Sequence, residues 1–142
     1  MTVTLQEEIN QTILTVPDFP KPGILFRDLT PLFQNPKLYL EVITEMGKRF
    51  SNCLWLGIES RGFIFATSIA QQKQEAFGLI RKKGKLPPPT ISRSYNLEYG
   101  QASLEIAQPK KEDQRRVVIV DDLLATGGTL HCATEICIEA GY

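Results

Sequence analysis

Residues 117–130, VVIVDDLLATGGTL, constrain the fold of this chain more than any other stretch. Val117, Val118, Ile119 and Val120 form an unbroken apolar, β-branched run, the pattern of a strand buried on both faces of a parallel sheet. Polarity then flips at Asp121 and Asp122. After two leucines, Ala125, Thr126, Gly127, Gly128 and Thr129 supply the small residues a backbone needs to wrap an anion, and Thr129 opens a helical stretch. Amides of a glycine-rich turn feeding a helix N-terminus make an anion site, because unpaired N–H groups and the positive end of the helix dipole point the same way. Two carboxylates beside it would repel a bare phosphate, yet they accept hydrogen bonds from hydroxyls. One ligand resolves the conflict: a ribose whose diol meets Asp121 and Asp122 and whose 5′-phosphate sits in residues 125–129. A strand ending in a polar turn with a Thr cap explains either half alone; the two halves together, behind a buried strand, favour the ligand.

The 142 residues fit one domain with a sizeable core. Sixteen acidic residues balance sixteen basic ones, so no long-range field favours nucleic acid or an anionic membrane, and a charged ligand must be met locally. The start, MTVTLQEEINQTIL, lacks the basic and apolar regions of a signal peptide, and no stretch approaches the ~20 apolar residues of a membrane span. The expected compartment is the cytoplasm. Cys53, Cys132 and Cys137 are odd in number and form no Cys-x-x-Cys, which indicates neither a disulfide framework nor a zinc site.

Leu5, Ile9 and Ile13 predict a first helix over residues 3–15, stopped by Pro17. Prolines at 17, 20, 22 and 31, with Gly23, predict an extended, turn-rich arm. Asn35-Pro36 starts a second helix in which Leu38, Val42, Met46 and Phe50, widened by Tyr39 and Ile43, trace an apolar stripe. LWLGI (54–58), a helix over 63–76 and a strand over 77–80 form a strand, helix, strand unit, which implies parallel pairing. RKKGKLPPPT (81–90), with four cations and three prolines, predicts a mobile loop. Two strands flank YNLEYG, the second placing Ala102, Leu104 and Ile106 on one face. A charged connector (108–115), the strand 117–120 and a helix over 129–140 follow. The order defines an α/β domain with a mainly parallel sheet, an inserted β-hairpin and an N-terminal arm.

An apolar strand ending in Asp-Asp also resembles a Walker B element, but that reading requires G-x-x-x-x-G-K-[ST]. Gly78 and Gly84-Lys85 have one residue too many between the glycines, and Leu86 stands where a hydroxyl is needed. A serine hydrolase lacks its G-x-S-x-G, and the only histidine, His131, falls within the last helix as a solvated or partly packed side chain. Glu59-Ser60-Arg61-Gly62 is a second turn at a strand's carboxyl end. Read alone, it is a cap and a surface charge; beside a sugar phosphate it becomes a second anion site with a fixed cation. Arg81, Lys82, Lys83 and Lys85, otherwise a solvated loop, add cations able to close over a polyanion.

VVIVDDLLATGGT, together with VPDFPKPGILFRDLTPL, IESRGFIFA, LIRKKGKLPPPT and YNLEYG, resembles the phosphoribosyltransferases along nearly the whole chain, and within them the branch that acts on adenine. The resemblance implies the type I phosphoribosyltransferase fold in a single domain, with a hood arm over residues 1–34 and a core over 35–142 that includes the loop 81–90. It implies transfer of a 5-phosphoribosyl group from phosphoribosyl pyrophosphate (PRPP) to adenine, giving AMP and pyrophosphate with Mg²⁺ carried by PRPP, in a cytoplasmic homodimer of purine salvage. By the same resemblance Ser60 and Arg61 hold the pyrophosphate, with a cis peptide expected between Glu59 and Ser60. Arg81, Lys82 and Lys85 match the mobile-loop cations, and Leu25, Phe26 and Arg27 match the adenine pocket, with Phe26 stacking on the base. Glu98 matches the hood-loop residue that handles the purine proton, with Tyr99 beside it. Three departures stand out: Pro88 replaces a glycine, Glu59 replaces an aspartate, and the chain ends at Tyr142, where the family continues into another core strand. The last departure leads to the expectation of a fragment, an early-terminated copy, or a partner covering the exposed edge. Two other activities fit the same residues: a truncated relative that binds PRPP or AMP with weak or no turnover, and a transferase for another purine.

Overall fold

Residues 3–97, 100–110 and 115–142 are described by the computed structural model, in two units, Met1–Lys48 and Arg49–Tyr142. The first unit begins with α1 (Leu5–Thr12), which starts at a capping box: the Glu7 N–H donates to Thr4 Oγ1 at 3.3 Å, and the Thr4 N–H donates to the Glu7 carboxylate at 2.8 Å. The helix is shorter than the predicted 3–15. The chain turns extended at Ile13, and β1 (Leu14–Pro17) pairs antiparallel with β2 (Leu25–Asp28). The proline-rich segment expected to be irregular therefore contains a hairpin. Pro17 ends a strand, while Pro20 and Pro22 lie in the connection, where no ladder N–H is required. That connection is closed by Asp18, whose carboxylate accepts the Gly23 N–H at 2.7 Å, with Gly23 at φ +86°. After α2 (Thr30–Phe33), Asn35 caps α3 (Pro36–Gly47) by accepting the Leu38 N–H at 3.1 Å. Leu38, Val42 and Ile43 are buried as the stripe predicts, but Met46 is 36% exposed in the last turn. Phe50 lies beyond the helix and sets its ring edge against Trp55, with centroids 6.2 Å apart.

The second unit is a five-stranded sheet in the order β5-β6-β4-β3-β7. At its heart is β3 (Cys53–Ile58), buried at every position and paired in parallel with β4 (Ala76–Lys82) on one side and β7 (Arg116–Val120) on the other. The hairpin of β5 (Thr90–Leu97) and β6 (Gly100–Ala107) joins the sheet antiparallel to β4. The α/β class stands, with two parallel and two antiparallel ladders. Side chains alternate across a strand. Leu54, Leu56 and Ile58 accordingly share a core with Cys132, Ala133, Ile136 and Cys137 of α5 (Gly128–Ala140). The opposite face of β3 meets α4 (Arg61–Lys73), where Gly57 lies so close that a Cβ there would stand 2.6 Å from the Gly62 carbonyl oxygen. All three cysteines are buried.

The loop expected over 81–90 lies outside helices and strands over 83–89, and only its two ends are strand. Arg81 and Lys82 belong to β4, opposite Glu105 and Leu104, and Thr90 already belongs to β5. The turn between is pinned by Glu105, 3% exposed and buried within the sheet, whose carboxylate accepts the N–H groups of Lys85 and Leu86, each at 2.7 Å. Burial opposes its charge, but the N–H groups of Leu86, Gly84 and Lys85, with the nearby Arg81 guanidinium, outweigh it and hold the carboxyl below the usual glutamate range.

Candidate active site

Three parallel strands end side by side, and the segments that follow two of them build one cleft of about 670 Å³. The carboxyl ends of parallel strands are where open α/β sheets place ligands. From the end of β7 come Asp121, Asp122 and residues 125–129; from the end of β3 come Glu59, Ser60 and Arg61; and Lys82 contributes from β4. Gly62 makes this closeness sterically possible. A Cβ at Gly62 would stand 2.5 Å from the Val120 carbonyl oxygen and 3.3 Å from Asp121 Oδ1.

Arg61 Nε sits 2.9 Å from Asp122 Oδ2, a pair in which the Asp122 side chain is only 8% exposed. Asp121 Oδ1 accepts the Asp122 N–H at 2.9 Å. Burial, reinforced by the neighbouring Asp122 side chain, pushes the Asp121 carboxyl up to about 6, while the Asp122 N–H and Arg61 pull the other way. Gly127, at φ +87°, lies in the left-handed region and caps α5, whose first turn, Gly128 to Leu130, lines the cleft. The peptide between Glu59 and Ser60 is cis, as expected. The Glu59 carboxylate accepts the Lys82 N–H at 2.9 Å and the Arg81 Nε–H at 3.3 Å, and these bonds hold the carboxyl below its ordinary range despite the opposing effect of burial.

The structure thus brings together Ser60, Arg61, Lys82, Asp121, Asp122, Ala125, Thr126, Gly127, Gly128 and Thr129. Arg81 is held aside: besides Glu59, its Nη1 donates to the Lys85 carbonyl at 3.3 Å, and its guanidinium lies 5.9 Å from the Phe63 ring centroid. Neither Arg81 nor Lys85 lines the cleft. Leu25, Phe26 and Arg27 lie on β2 of the first unit, where the Phe26 ring meets the edge of Phe19 at 5.2 Å and Arg27 hydrogen-bonds Thr15. Glu98 and Tyr99 fall outside the described residues. His131 is exposed on α5. The sequence reading missed Tyr95, which lines the cleft and hydrogen-bonds Thr129, 34 positions further along the chain, a contact with no local signal. Among the described residues, no cluster of three or more His, Cys, Asp or Glu could hold a metal. No helix of the described residues is long and apolar enough to cross a membrane.

A parallel sheet edge thus carries an acidic pair, a glycine-rich helix entrance and a fixed arginine in one cleft, and comparison with known proteins gives the class of protein to which such a chain belongs. Residues 29–142 match the model of the phosphoribosyl transferase domain. An adenine phosphoribosyltransferase of Polynucleobacter asymbioticus is 47% identical over 130 residues, spanning 89% of this chain and 76% of that protein. The crystal structure of adenine phosphoribosyltransferase from Thermoanaerobacter pseudethanolicus superposes with a TM-score of 0.89 at 42% identity, covering 97% of this chain and 81% of its own. The Saccharomyces cerevisiae enzyme, complexed with D-2,5-dideoxy-2,5-imino-altritol 1,6-bisphosphate and adenine, gives a TM-score of 0.86 at 34% identity, covering 96% and 81%. The chain belongs to the adenine phosphoribosyltransferases.

Proposed function

We propose that this chain transfers the 5-phosphoribosyl group of PRPP to adenine, giving AMP and pyrophosphate in purine salvage. One observation carries the reading: Asp121 and Asp122, residues 125–129 and Arg61 wall a single cleft, so hydroxyl acceptors, phosphate donors and a cation face one volume. Relatives named for this activity at about half identity over most of the chain support the choice of base. In the reaction a purine ring nitrogen forms a bond to the anomeric carbon, the bond from that carbon to pyrophosphate oxygen breaks, and the electron pair leaves with pyrophosphate. The nitrogen's proton is lost, a step assigned to Glu98.

Asp121 and Asp122 accept from the ribose diol, which fixes the sugar as its anomeric carbon becomes cationic. The amides and hydroxyls of Ala125, Thr126, Gly127, Gly128 and Thr129 grip the 5′-phosphate. Arg61, with the backbone at Ser60, stabilises the charge that develops on pyrophosphate, the kind of interaction that strengthens in the transition state. Lys82 adds charge from the cleft wall; Arg81, beside it on β4, and Lys85, in the turn that follows, join it in the proposal as further cations for the pyrophosphate. Leu25, Phe26 and Arg27 read the base, Phe26 by stacking, and Tyr99, next to Glu98 in sequence, is assigned with it to the hood loop. Mg²⁺ would fit here as a companion of PRPP with no direct protein ligand: Asp122 is committed to Arg61, and among the described residues no cluster of three His, Cys, Asp or Glu could hold a metal, so substrate oxygens and water would carry it. It supplies charge neutralisation on the phosphates. The proposal extends to one catalytic domain formed by the whole chain, working as a homodimer in the cytoplasm.

The test is AMP formation from adenine, PRPP and Mg²⁺, with each omitted in turn and with guanine, hypoxanthine or xanthine replacing adenine. Product with adenine alone supports the proposal. Equal rates with another purine would reassign the base, and PRPP binding without product would leave a binding protein.

A further inference from the structure

Tyr95 stands on β5, outside every segment that the sugar-phosphate reading uses, yet it forms part of the cleft wall. Its hydroxyl lies 3.1 Å from Thr129 Oγ1, and its ring backs the glycine-rich turn, where a Cβ at Gly128 would stand 3.8 Å from Tyr95 Cδ2. The strand behind it is fastened to the same helix one turn further on. Cys132 Sγ lies 3.5 Å from the Arg93 carbonyl oxygen, and the Arg93 guanidinium pairs with Glu135. The hairpin therefore holds the Tyr95 hydroxyl at the second residue of α5.

Geometry alone leaves the direction of the hydroxyl pair open, because either oxygen can donate. A bound phosphate removes that freedom. Each hydroxyl has one proton, and a phosphate dianion has none to give. For Thr129 to donate its proton to the phosphate, its oxygen must accept from Tyr95, so the three groups form a chain running from Tyr95 through Thr129 to the phosphate. Such a chain polarises along its length, and each bond strengthens the next.

Resting on the reading of residues 125–129 as the 5′-phosphate site, we propose that Tyr95 is a positioning residue for it: it donates to Thr129 and so commits the Thr129 proton to the phosphate. The effect is confined to the sugar-phosphate end of the ligand, because Arg61 and Ser60 lie on another segment. Tyr95→Phe removes one hydroxyl and keeps the ring, so the fold and the packing against Gly128 are retained.

The experiment measures ribose 5-phosphate and pyrophosphate affinities by calorimetry for the unmodified chain, Tyr95→Phe, Thr129→Val and the double variant, with thermal melting as a fold check and KM for PRPP and kcat alongside. The expected result is ribose 5-phosphate affinity about 5- to 10-fold weaker in Tyr95→Phe, about the factor given by one neutral hydrogen bond. Pyrophosphate affinity is expected to be unchanged, and KM for PRPP to rise with little change in kcat. In the Thr129→Val background the Tyr95 substitution is expected to have no further effect, because its partner is already gone. Additive losses, or equal losses for both ligands, would overturn the inference and leave Tyr95 a packing residue. Equal ribose 5-phosphate affinity in the unmodified chain and Tyr95→Phe would overturn it while leaving the site reading intact. Absence of ribose 5-phosphate binding by the unmodified chain would overturn the site reading and this inference with it.

Discussion

A methyl group at position 62 would stand 2.5 Å from the Val120 carbonyl oxygen, 3.3 Å from Asp121 Oδ1 and 3.4 Å from Asp121 Cα. Two of those three atoms belong to backbone, so no side-chain rotation relieves the contact. Restoring ordinary van der Waals separation requires about 1 Å of movement between the start of α4 and the end of β7. That movement separates the two halves of the cleft, Arg61 on one side and the Asp121–Asp122 pair on the other. Overpacking of this kind costs about 1–3 kcal/mol of stability. A misplacement of about 1 Å in a reacting constellation costs about a hundredfold in rate. Gly62→Ala is therefore expected to lower the melting temperature by several degrees and kcat/KM for PRPP by about two orders of magnitude, measured by thermal denaturation and steady-state kinetics. Gly78→Ala is the matched control: its Cβ would meet the end of the Leu56 side chain at 2.8 Å, away from the cleft, so it perturbs packing while leaving the kinetics near those of the unmodified chain. Wild-type kinetics in a folded Gly62→Ala variant would refute the claim that this close approach sets the geometry of the site.

Three further perturbations follow from individual contacts. Arg61→Ala is expected to slow turnover ten- to a hundredfold, as about 1.5–3 kcal/mol for a charged hydrogen bond implies; because it also strips the partner from the largely buried Asp122 carboxylate, chemical denaturation should register a loss of stability, and unchanged turnover would remove Arg61 from the site. Asp121, raised from 3.8 to about 6, binds a proton more tightly in the folded chain than in the unfolded one, so its contribution to stability is complete below pH 4 and falls as pH rises to about 6. In the proposed function the ionised form accepts from the ribose diol, so PRPP affinity should fall as pH drops through 6; titrating Asp121→Asn alongside separates this from phosphate protonation, and an identical pH profile in that variant would discard Asp121 as the source. Glu105→Ala leaves the Lys85 and Leu86 N–H groups without their carboxylate, which should cost about 2–4 kcal/mol in denaturant melts, and equal midpoints would refute its role as the pin of this turn.

The site was legible where its chemistry is local in sequence. An unbroken apolar strand followed by Asp121-Asp122 and a glycine-rich helix entrance carries strand, acceptor and cradle within thirteen consecutive residues, and the structure places them as that pattern demands. The turn at Ser60-Arg61 was legible for the same reason. What escaped depends on partners distant in the chain. Charge and proline content identified the loop over 83–89, but nothing near it announces that Glu105, some twenty residues on, is buried and accepts the Lys85 and Leu86 amides. Tyr95 opens YNLEYG, read as the segment between two strands and as part of the family resemblance with no role for Tyr95 itself; it belongs to β5, and its link to Thr129 exists only once the hairpin lies across α5. The N-terminal hairpin was hidden because prolines at its end and connection suppress a strand signal without blocking the short ladder between them.

The central claim is that one cleft holds the ribose diol on an acidic pair and the 5′-phosphate on the entrance to α5. A crystal structure of the chain with PRPP and Mg²⁺ tests it most directly. The account predicts the 5′-phosphate within hydrogen-bonding distance of the amides and hydroxyls of residues 125–129, the ribose hydroxyls on Asp121 and Asp122, and the pyrophosphate beside Arg61. A sugar phosphate seated elsewhere, or one with its pyrophosphate on residues 125–129, would contradict it.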